Sequence, residues 1–271
     1  MTAGQALAAA AIEPREARIL LAAASGFSQA SVIAHPEREL PAEVAQRFQA
    51  MAARRRAGEP IAYLVGRREF FGLELAVSRA VLIPRPETEL LVELALERLP
   101  AGSTAALLEL GTGSGAIALA LKRLRPRARV VAVEASAAAL EVARRNAARL
   151  GLEIELRHGR WFEPAAGERF ALVVSNPPYV AEGDPHLAEG DLRFEPRSAL
   201  VGGADGLEAI RDIARAAPAY LAQGGWLLLE HGLGQEGAVQ GLLAGAGLEG
   251  IATWPDLAGI ARVTGGRLKS E

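Results

Sequence analysis

Asn176 is followed by two prolines and an aromatic ring (Pro177, Pro178 and Tyr179) and is reached through the apolar run FALVV and Ser175. An amide, two rigid imino acids and a ring at the end of an apolar run suit the gripping of a planar nitrogen that is a poor nucleophile. The lone pair of an amide or nucleobase exocyclic nitrogen is delocalised. An enzyme acting there needs acceptors for both N–H groups, which orient the nitrogen and stabilise the positive charge growing in the transition state. The Asn176 side-chain oxygen is one candidate acceptor and the Pro177 carbonyl the second. Each proline fixes φ near about −65° and restricts the residue before it, so the loop's carbonyls are aimed rather than averaged. Tyr179 offers a flat apolar face to a planar amide or base.

A second group of residues points to what is transferred. The run AALLEL leads directly into Gly111, Thr112, Gly113, Ser114, Gly115 and Ala116, which open a helical stretch. Glycines there allow a tight turn and close approach of a ligand, and the helix N-terminus offers free N–H groups. Glu134 ends the later run RVVAVE, placed to accept hydrogen bonds from a ribose diol. The same spacing satisfies the G-x-G-x-x-[GA] pattern of dinucleotide folds, so it does not choose a cofactor. Glu109, two residues before Gly111, does tilt the choice. A carboxylate is ill suited beside a pyrophosphate, because like charges in a partly dry cleft repel. It suits a ligand that carries an ammonium, as the methionine moiety of S-adenosylmethionine does. Methyl transfer from a sulfonium, leaving S-adenosylhomocysteine, needs an in-line nucleophile more than acid–base help. A nicotinamide enzyme would want a hydride-handling acid or base, and no candidate stands out.

These residues need a scaffold. The 271-residue chain has room for one large domain and a small one. Half of it is hydrophobic and 23% charged, an ordinary globular composition. A formal net charge of −2 gives no argument for a nucleic-acid or membrane partner. The absence of cysteine excludes disulfides, thiolate nucleophiles and Cys-type zinc sites. His35, His158, His186 and His231 are scattered, and no metal site is expected. No basic segment followed by a long apolar run opens the chain, and nothing approaches a spanning length of ~20 residues. A cytoplasmic protein is expected.

Residues 1–68 read as a small helical domain: AGQALAAAAI, PREARILLAAASG with Pro14 in a first turn, and PAEVAQRFQAMAARRRAG with Val44, Phe48 and Met51 at helical spacing. EFFGLELAVS alternates as a hairpin, giving a connector over 69–84. From Arg85 to the end the chain reads as the catalytic domain. RPETELLVELALERL opens a helix with acids in its first turn. Strand and helix periods then alternate through AALLEL, GAIALALKRLR, RVVAVE, SAAALEVARRNAARLG, EIELRHG, FALVVS and GGWLLLEHG. A helical stretch from Gln235 and two short strand candidates around Pro255 follow. Such alternation implies an α/β fold with a parallel, doubly wound, Rossmann-like sheet.

ELGTGSGAIALAL, SNPPYV and RPETE together resemble the class I methyltransferases that modify the glutamine of peptide-chain release factors. GEPIAYLVGRREFFGLELAVSRAVLIPRPETE, RWFEP, RFEPRSAL, ADGL and GGWLLLEHG are similar to that family in the same order, over residues 57–267. SNPPY alone is shared with adenine- and guanine-directed methyltransferases, whereas the block at 58–89 joined to SNPPY is much more specific. The resemblance implies methyl transfer from S-adenosylmethionine to the side-chain amide nitrogen of the glutamine in the Gly-Gly-Gln motif of class I release factors, by a monomer. It implies that Glu109, Gly111, Thr112, Gly113, Ser114, Gly115, Glu134 and Asn176 hold the donor. It puts Trp161 by the adenine, where a core aromatic is the alternative, and gives the substrate glutamine to Asn176, Pro177, Pro178 and Tyr179. Glu109 and Glu134 stand where the family more often has Asp, Arg160 where an acid is common, and Ile260 and Ala261 where it is more polar.

Other residues carry two readings each. Arg85, Glu87 and Thr88 reach the donor pocket or cap a helix. Arg193, Glu195 and Arg197 form a buried ion network that supports the SNPPY loop, a structural role read ahead of a catalytic one. Arg47, Arg54, Arg55, Arg56, Arg67 and Arg68 form a solvated face or a partner contact. A nucleic-acid amino-methyltransferase is the rival enzyme, which would want a basic groove or a target-recognition insertion. A non-catalytic donor-binding module that recruits a partner through its helical domain is the rival of another class.

Overall fold

A computed structural model describes residues 1–270 and falls into two compact units. The first comprises Met1–Arg67 with His186–Phe194, the second Arg68–Pro185 with the chain from Glu195 onward.

The first unit holds α1 (Ala3–Ala9), α2 (Pro14–Ser25), α3 (Gln29–Ala34), α4 (Ala42–Arg56) and α5 (Ile61–Val65). Thr2 and Gln5 cap α1 reciprocally, each side chain satisfying the other's amide. Pro14 opens α2, and Gly26 ends it in the left-handed region at φ 76°. Leu20, Leu21, Val32, Phe48 and Met51 form the core. The arginines that close α4 are largely tethered within this unit. Arg54 grips Glu59 through two bonds of 2.7 Å, Arg55 grips Glu16 through two of 2.8 Å, and Arg56 donates to Ala10 O at 2.7 Å. The short α3 and α5 lie outside the sequence reading.

The second unit takes in the hairpin of β1 (Arg67–Phe70) and β2 (Leu73–Ala76) from Arg68 on, then α6 (Glu89–Arg98) after a turn of 3-10 helix at Pro86–Thr88. There follow β3 (Ala106–Leu110), α7 (Ala116–Leu124), β4 (Arg129–Glu134), α8 (Ala137–Leu150), β5 (Glu155–His158), β6 (Phe170–Ser175), α9 (Arg197–Leu200), α10 (Glu208–Ala216), β7 (Leu221–Glu230), α11 (Glu236–Gly245), β8 (Leu248–Pro255) and β9 (Ala261–Leu268). The seven-stranded sheet runs β5-β4-β3-β6-β7-β9-β8. Its first five strands are parallel.

The edge beyond β7 departs from the all-parallel expectation. β9 is antiparallel to β7 and to β8, and the two fall on the strand candidates read around Pro255. Five residues join β8 to β9, too few for the crossover that a parallel pair requires. Asp256 closes that turn by accepting from the amides of Ala258 and Ile260. α10 also lay outside the sequence reading, although it buries Ala209, Ile210, Ile213 and Ala214 along one stripe.

Both faces of the sheet are covered, which is why its strands read as near-continuous apolar runs rather than alternations. Leu107, Val130 and Leu172 pack on one side with Leu91, Ile117 and Leu121. Their chain neighbours Leu108, Val131 and Val173 pack on the other with Phe162, Ile210 and Ile213. No helix among the described residues is long and apolar enough to cross a membrane.

Candidate active site

The register brings the chemistry-bearing residues to one edge. Leu110 at the end of β3 pairs with Val133 of β4 on one side and Ser175 of β6 on the other, and Ser175 pairs with Leu229 of β7. Glu134, Asn176 and Glu230 each follow directly, so all three leave the carboxyl ends of neighbouring strands. Strand order reverses at β3, and such a switch point leaves a crevice above the sheet. A cavity of about 550 Å³ opens in this unit, walled by Glu109, Gly111, Thr112, Gly113, Ser114, Glu134, Trp161, Asn176 and Pro178 among others. Gly115, Pro177 and Tyr179 are not on that wall.

Gly111, Gly113 and Gly115 all adopt positive φ (73°, 55° and 85°), which glycine tolerates without strain. A side chain at Gly113 would meet nothing within 4 Å, so this glycine keeps the backbone bare toward the cavity. Gly115 serves packing instead: a Cβ there would lie 3.0 Å from Leu119 and 3.4 Å from Ala143. The loop is closed by Glu134, whose Oε2 accepts from Gly113 N at 2.8 Å and Oε1 from Ser136 N at 2.9 Å. Each oxygen retains a lone pair for a diol.

Glu109 is buried, with 1% of its surface exposed. Its Oε2 accepts from Thr112 Oγ1 at 2.6 Å and Ala118 N at 2.9 Å, leaving Oε1 for a ligand. Burial pushes this carboxyl up to about 8, and Glu134 adds to the rise against the two hydrogen bonds. A cationic ligand at Oε1 would return it to the charged form. The residues present therefore fit a ligand with an ammonium at one end and a ribose at the other. Trp161 stands on the wall with φ 47°, its ring 3.7 Å from where a Gly111 Cβ would be, and its indole N–H is buried without a partner among the described residues. Arg160 also reaches the wall, and its guanidinium is drawn to Asp212 on α10 at 3.2 Å.

On the other side, Asn176 Nδ2 donates to Thr88 Oγ1 at 3.1 Å. In that arrangement its Oδ1 is the end left free. Pro177 is buried, and among the described residues nothing donates to its carbonyl. Tyr179 is held at both ends, its hydroxyl donating to Glu230 Oε1 at 3.3 Å and its carbonyl accepting from Gln235 Nε2 at 3.0 Å. Glu195 is buried, takes the Ile83 amide at 3.0 Å and pairs with Arg85, tying down the wall segment before α6. The ion network expected around Glu195 is thus made with Arg85. Arg197 is exposed, and Arg193, which belongs to the first unit, donates to Ala57 O at 2.8 Å.

Thr88 was read only as one of two alternatives, and Glu230 was given no role. A signal for Glu230 existed: three apolar runs (ALLEL, RVVAVE and WLLLE) each carry an acid at or beside their carboxyl end.

The sheet with its glycine loop after β3 and an acid closing β4 defines a class I methyltransferase fold. A methyltransferase from Pyrococcus furiosus superposes on it with a TM-score of 0.58 at 21% identity, over 83% of this chain and 100% of that one. Residues 1–66 match the model of the PrmC N-terminal domain, and residues 87–190 that of the methyltransferase small domain. The release factor glutamine methyltransferase of Xylella fastidiosa (strain Temecula1) is 53% identical over 94% of each chain. That of Burkholderia pseudomallei (strain K96243) is 52% identical over 98% of this chain and 96% of its own. The chain belongs to the release factor glutamine methyltransferase family.

Proposed function

We propose that this protein transfers a methyl group from S-adenosylmethionine to the side-chain amide nitrogen (N5) of the glutamine in the Gly-Gly-Gln motif of class I peptide-chain release factors. The observation that carries the reading is the orientation of Asn176: its NH₂ is committed to Thr88, so its oxygen is the end offered to a ligand. The bound donor supplies an electrophilic methyl on a cationic sulfur. Glu109 would take the donor's ammonium, Glu134 its ribose diol, Trp161 would stand beside its base, and the bare backbone of 111–115 would let it approach.

Asn176 Oδ1 and the Pro177 carbonyl would accept the two N–H groups of the substrate amide. As the nitrogen attacks, its N–H bonds grow more acidic and both hydrogen bonds strengthen, which lowers the barrier rather than merely tightening binding. Pro178 and Tyr179 would complete the substrate grip, with Tyr179 held by Glu230. Family membership and a net charge of −2 favour a protein substrate over nucleic acid. The reading puts the protein in the cytoplasm with the translation machinery.

The test is peptide mass spectrometry of a bacterial release factor incubated with the protein and S-adenosylmethionine, beside matched reactions with duplex DNA and RNA. One added methyl on the Gly-Gly-Gln peptide, lost with Asn176→Ala while donor binding persists, is the expected result. Methyl in nucleic acid instead would overturn the substrate, and donor binding without any transfer would favour a recruiting module.

A further inference from the structure

Two leucines stand bare at the edge of the sheet that carries the site. Leu233 keeps 76% of its surface exposed, and Leu257 is fully exposed. Among the described residues of the second unit only Leu124 joins them as an exposed large hydrophobic, and it ends α7 at the opposite edge, where the chain turns back toward β4. A leucine exposed singly needs no explanation, but two on neighbouring turns beside a substrate grip make a surface. Glu230 at the end of β7 pairs with Val263 of β9, and His231 N donates to Arg262 O at 2.9 Å. The loop at 231–235 and the turn at 256–260 therefore leave adjacent strands, at the end where Asn176 leaves β6.

Both turns are held firmly, and the first is built onto the grip itself. Gln235 Oε1 accepts from Gly232 N at 2.8 Å, and its Nε2 donates to Tyr179 O at 3.0 Å. A Cβ at Gly232 would lie 3.3 Å from the Tyr179 ring, so glycine lets this loop close against the ring, with Leu233 as the next residue. In the second turn Asp256 N donates to Ile260 O at 2.8 Å. The Asp256 carboxylate accepts from Ala258 N at 2.9 Å, Ile260 N at 3.0 Å and Arg262 Nε at 3.0 Å. Asp256 and Arg262 neutralise each other, so what this turn presents around Leu257 is apolar. Leucines fixed in this way lose little freedom when covered, and their burial favours association.

The dimensions of the sheet decide what covers them. Neighbouring strands lie about 4.8 Å apart, so β9 and β8 run about 10 Å and about 14 Å from β6. A protein interface of ordinary size covers about 800 Å² on each partner, a disc about 16 Å in radius. A protein whose glutamine reaches Asn176 through such an interface therefore extends over both turns. We propose that Leu233 and Leu257 form an apolar docking rim for the release factor, receiving apolar side chains of the surface that presents the Gly-Gly-Gln loop. The rim raises the occupancy of the site and takes no part in the transfer step. This inference rests on the reading of the protein as a release factor methyltransferase that grips its glutamine at Asn176.

The experiment compares wild type with Leu233→Ser, Leu257→Ser and the double variant, using an intact, unmethylated bacterial release factor at saturating donor. Leu124→Ser serves as the control at the other edge. Each rim variant should raise KM for the release factor about ten-fold, and the double variant about a hundred-fold, since separate sites add. The maximal rate and the calorimetric affinity for S-adenosylhomocysteine should stay at wild-type values, and so should every constant of Leu124→Ser. The rise should persist in about 0.5 M salt, which screens ion pairs but leaves apolar contact intact. A double variant with wild-type KM would overturn the rim and leave the proposed reaction standing. Loss of kcat or donor affinity alongside KM would assign the leucines to the integrity of the site, and an equal effect from Leu124→Ser would make the contact unspecific; either overturns the inference. A wild-type dimer in light scattering that the double variant abolishes with KM unchanged would give the surface to a second copy of this chain instead. A wild type that methylates no release factor would overturn the proposed function and this inference with it.

Discussion

Gly113 N donates to Glu134 Oε2 at 2.8 Å, so the acid proposed to hold the donor's ribose also closes the loop proposed to cradle it. Glu134→Ala removes both functions at once. Charge-assisted hydrogen bonds contribute about 1.5–3 kcal/mol each, and losing two from a diol should weaken S-adenosylhomocysteine binding at least about a hundred-fold. Glu134→Gln retains one acceptor and should fall between. Titration calorimetry of the three proteins reads this directly, and an unaltered affinity in the alanine variant would remove Glu134 from the donor site.

Donor binding should release a proton through Glu109. In the structure its carboxyl is raised to about 8 by burial, so at neutral pH it is mostly protonated before a cation arrives. The donor's ammonium favours the ionised form, and binding then expels the proton. Affinity should therefore increase as pH rises toward about 8. Calorimetry at pH 7 in two buffers of different ionisation enthalpy should show close to one proton released, and Glu109→Gln should show none. Equal heats in both buffers for the wild type would place the ammonium elsewhere.

Much of this site was legible because its residues sit at strand ends, where an apolar run stops and chemistry begins. The runs ALLEL, RVVAVE and FALVVS are long and apolar because helices cover both faces of the sheet. Their terminal acids and the Asn-Pro-Pro-Tyr loop therefore stood out. What escaped depends on partners distant in the chain. The relation of Thr88 and Glu230 to Asn176 follows from the β6–β7 register and the turn before α6, neither of which has a local signature. The grouping of 186–194 with the first unit rests on contacts such as Arg193 with Ala57 and Asp191 with Arg55. α10 had the apolar spacing of a helix, but only the motif ADGL directly before it was read.

Asn146 links the donor loop to the hairpin. It is fully buried on α8, donates to Ser114 O at 2.9 Å and Ala76 O at 3.0 Å, and accepts from Ala76 N at 2.7 Å. Asn146→Ala leaves the Ser114 carbonyl buried without this partner and removes both bonds to the partly buried Ala76 backbone, and the larger part of the cost is these lost partners rather than the lost side chain. Destabilisation of about 2–3 kcal/mol is expected from urea unfolding, together with weaker donor binding as the Ser114 carbonyl loosens. A cost below about 0.5 kcal/mol, the range of an ordinary surface change, would show that these groups find other partners.

Stability itself should decline through the neutral range. Glu109 and Glu230 are both buried acids with pKa values raised, to about 8 and about 7, from the unfolded value of about 4.3. Between those limits the folded chain holds protons that the unfolded chain has released, so the unfolding free energy falls with rising pH. The contribution of these two groups is complete below about pH 4 and is lost as pH passes through about 7 and then 8. The melting temperature without donor should accordingly drop by several degrees from pH 6 to pH 9. Glu109→Gln and Glu230→Gln should each flatten part of that slope, because neither amide titrates. S-adenosylhomocysteine, which keeps the ammonium and would hold Glu109 ionised, should remove the part due to Glu109 and leave the part due to Glu230. A melting temperature independent of pH over this range would mean that neither carboxyl is protonated in the folded protein.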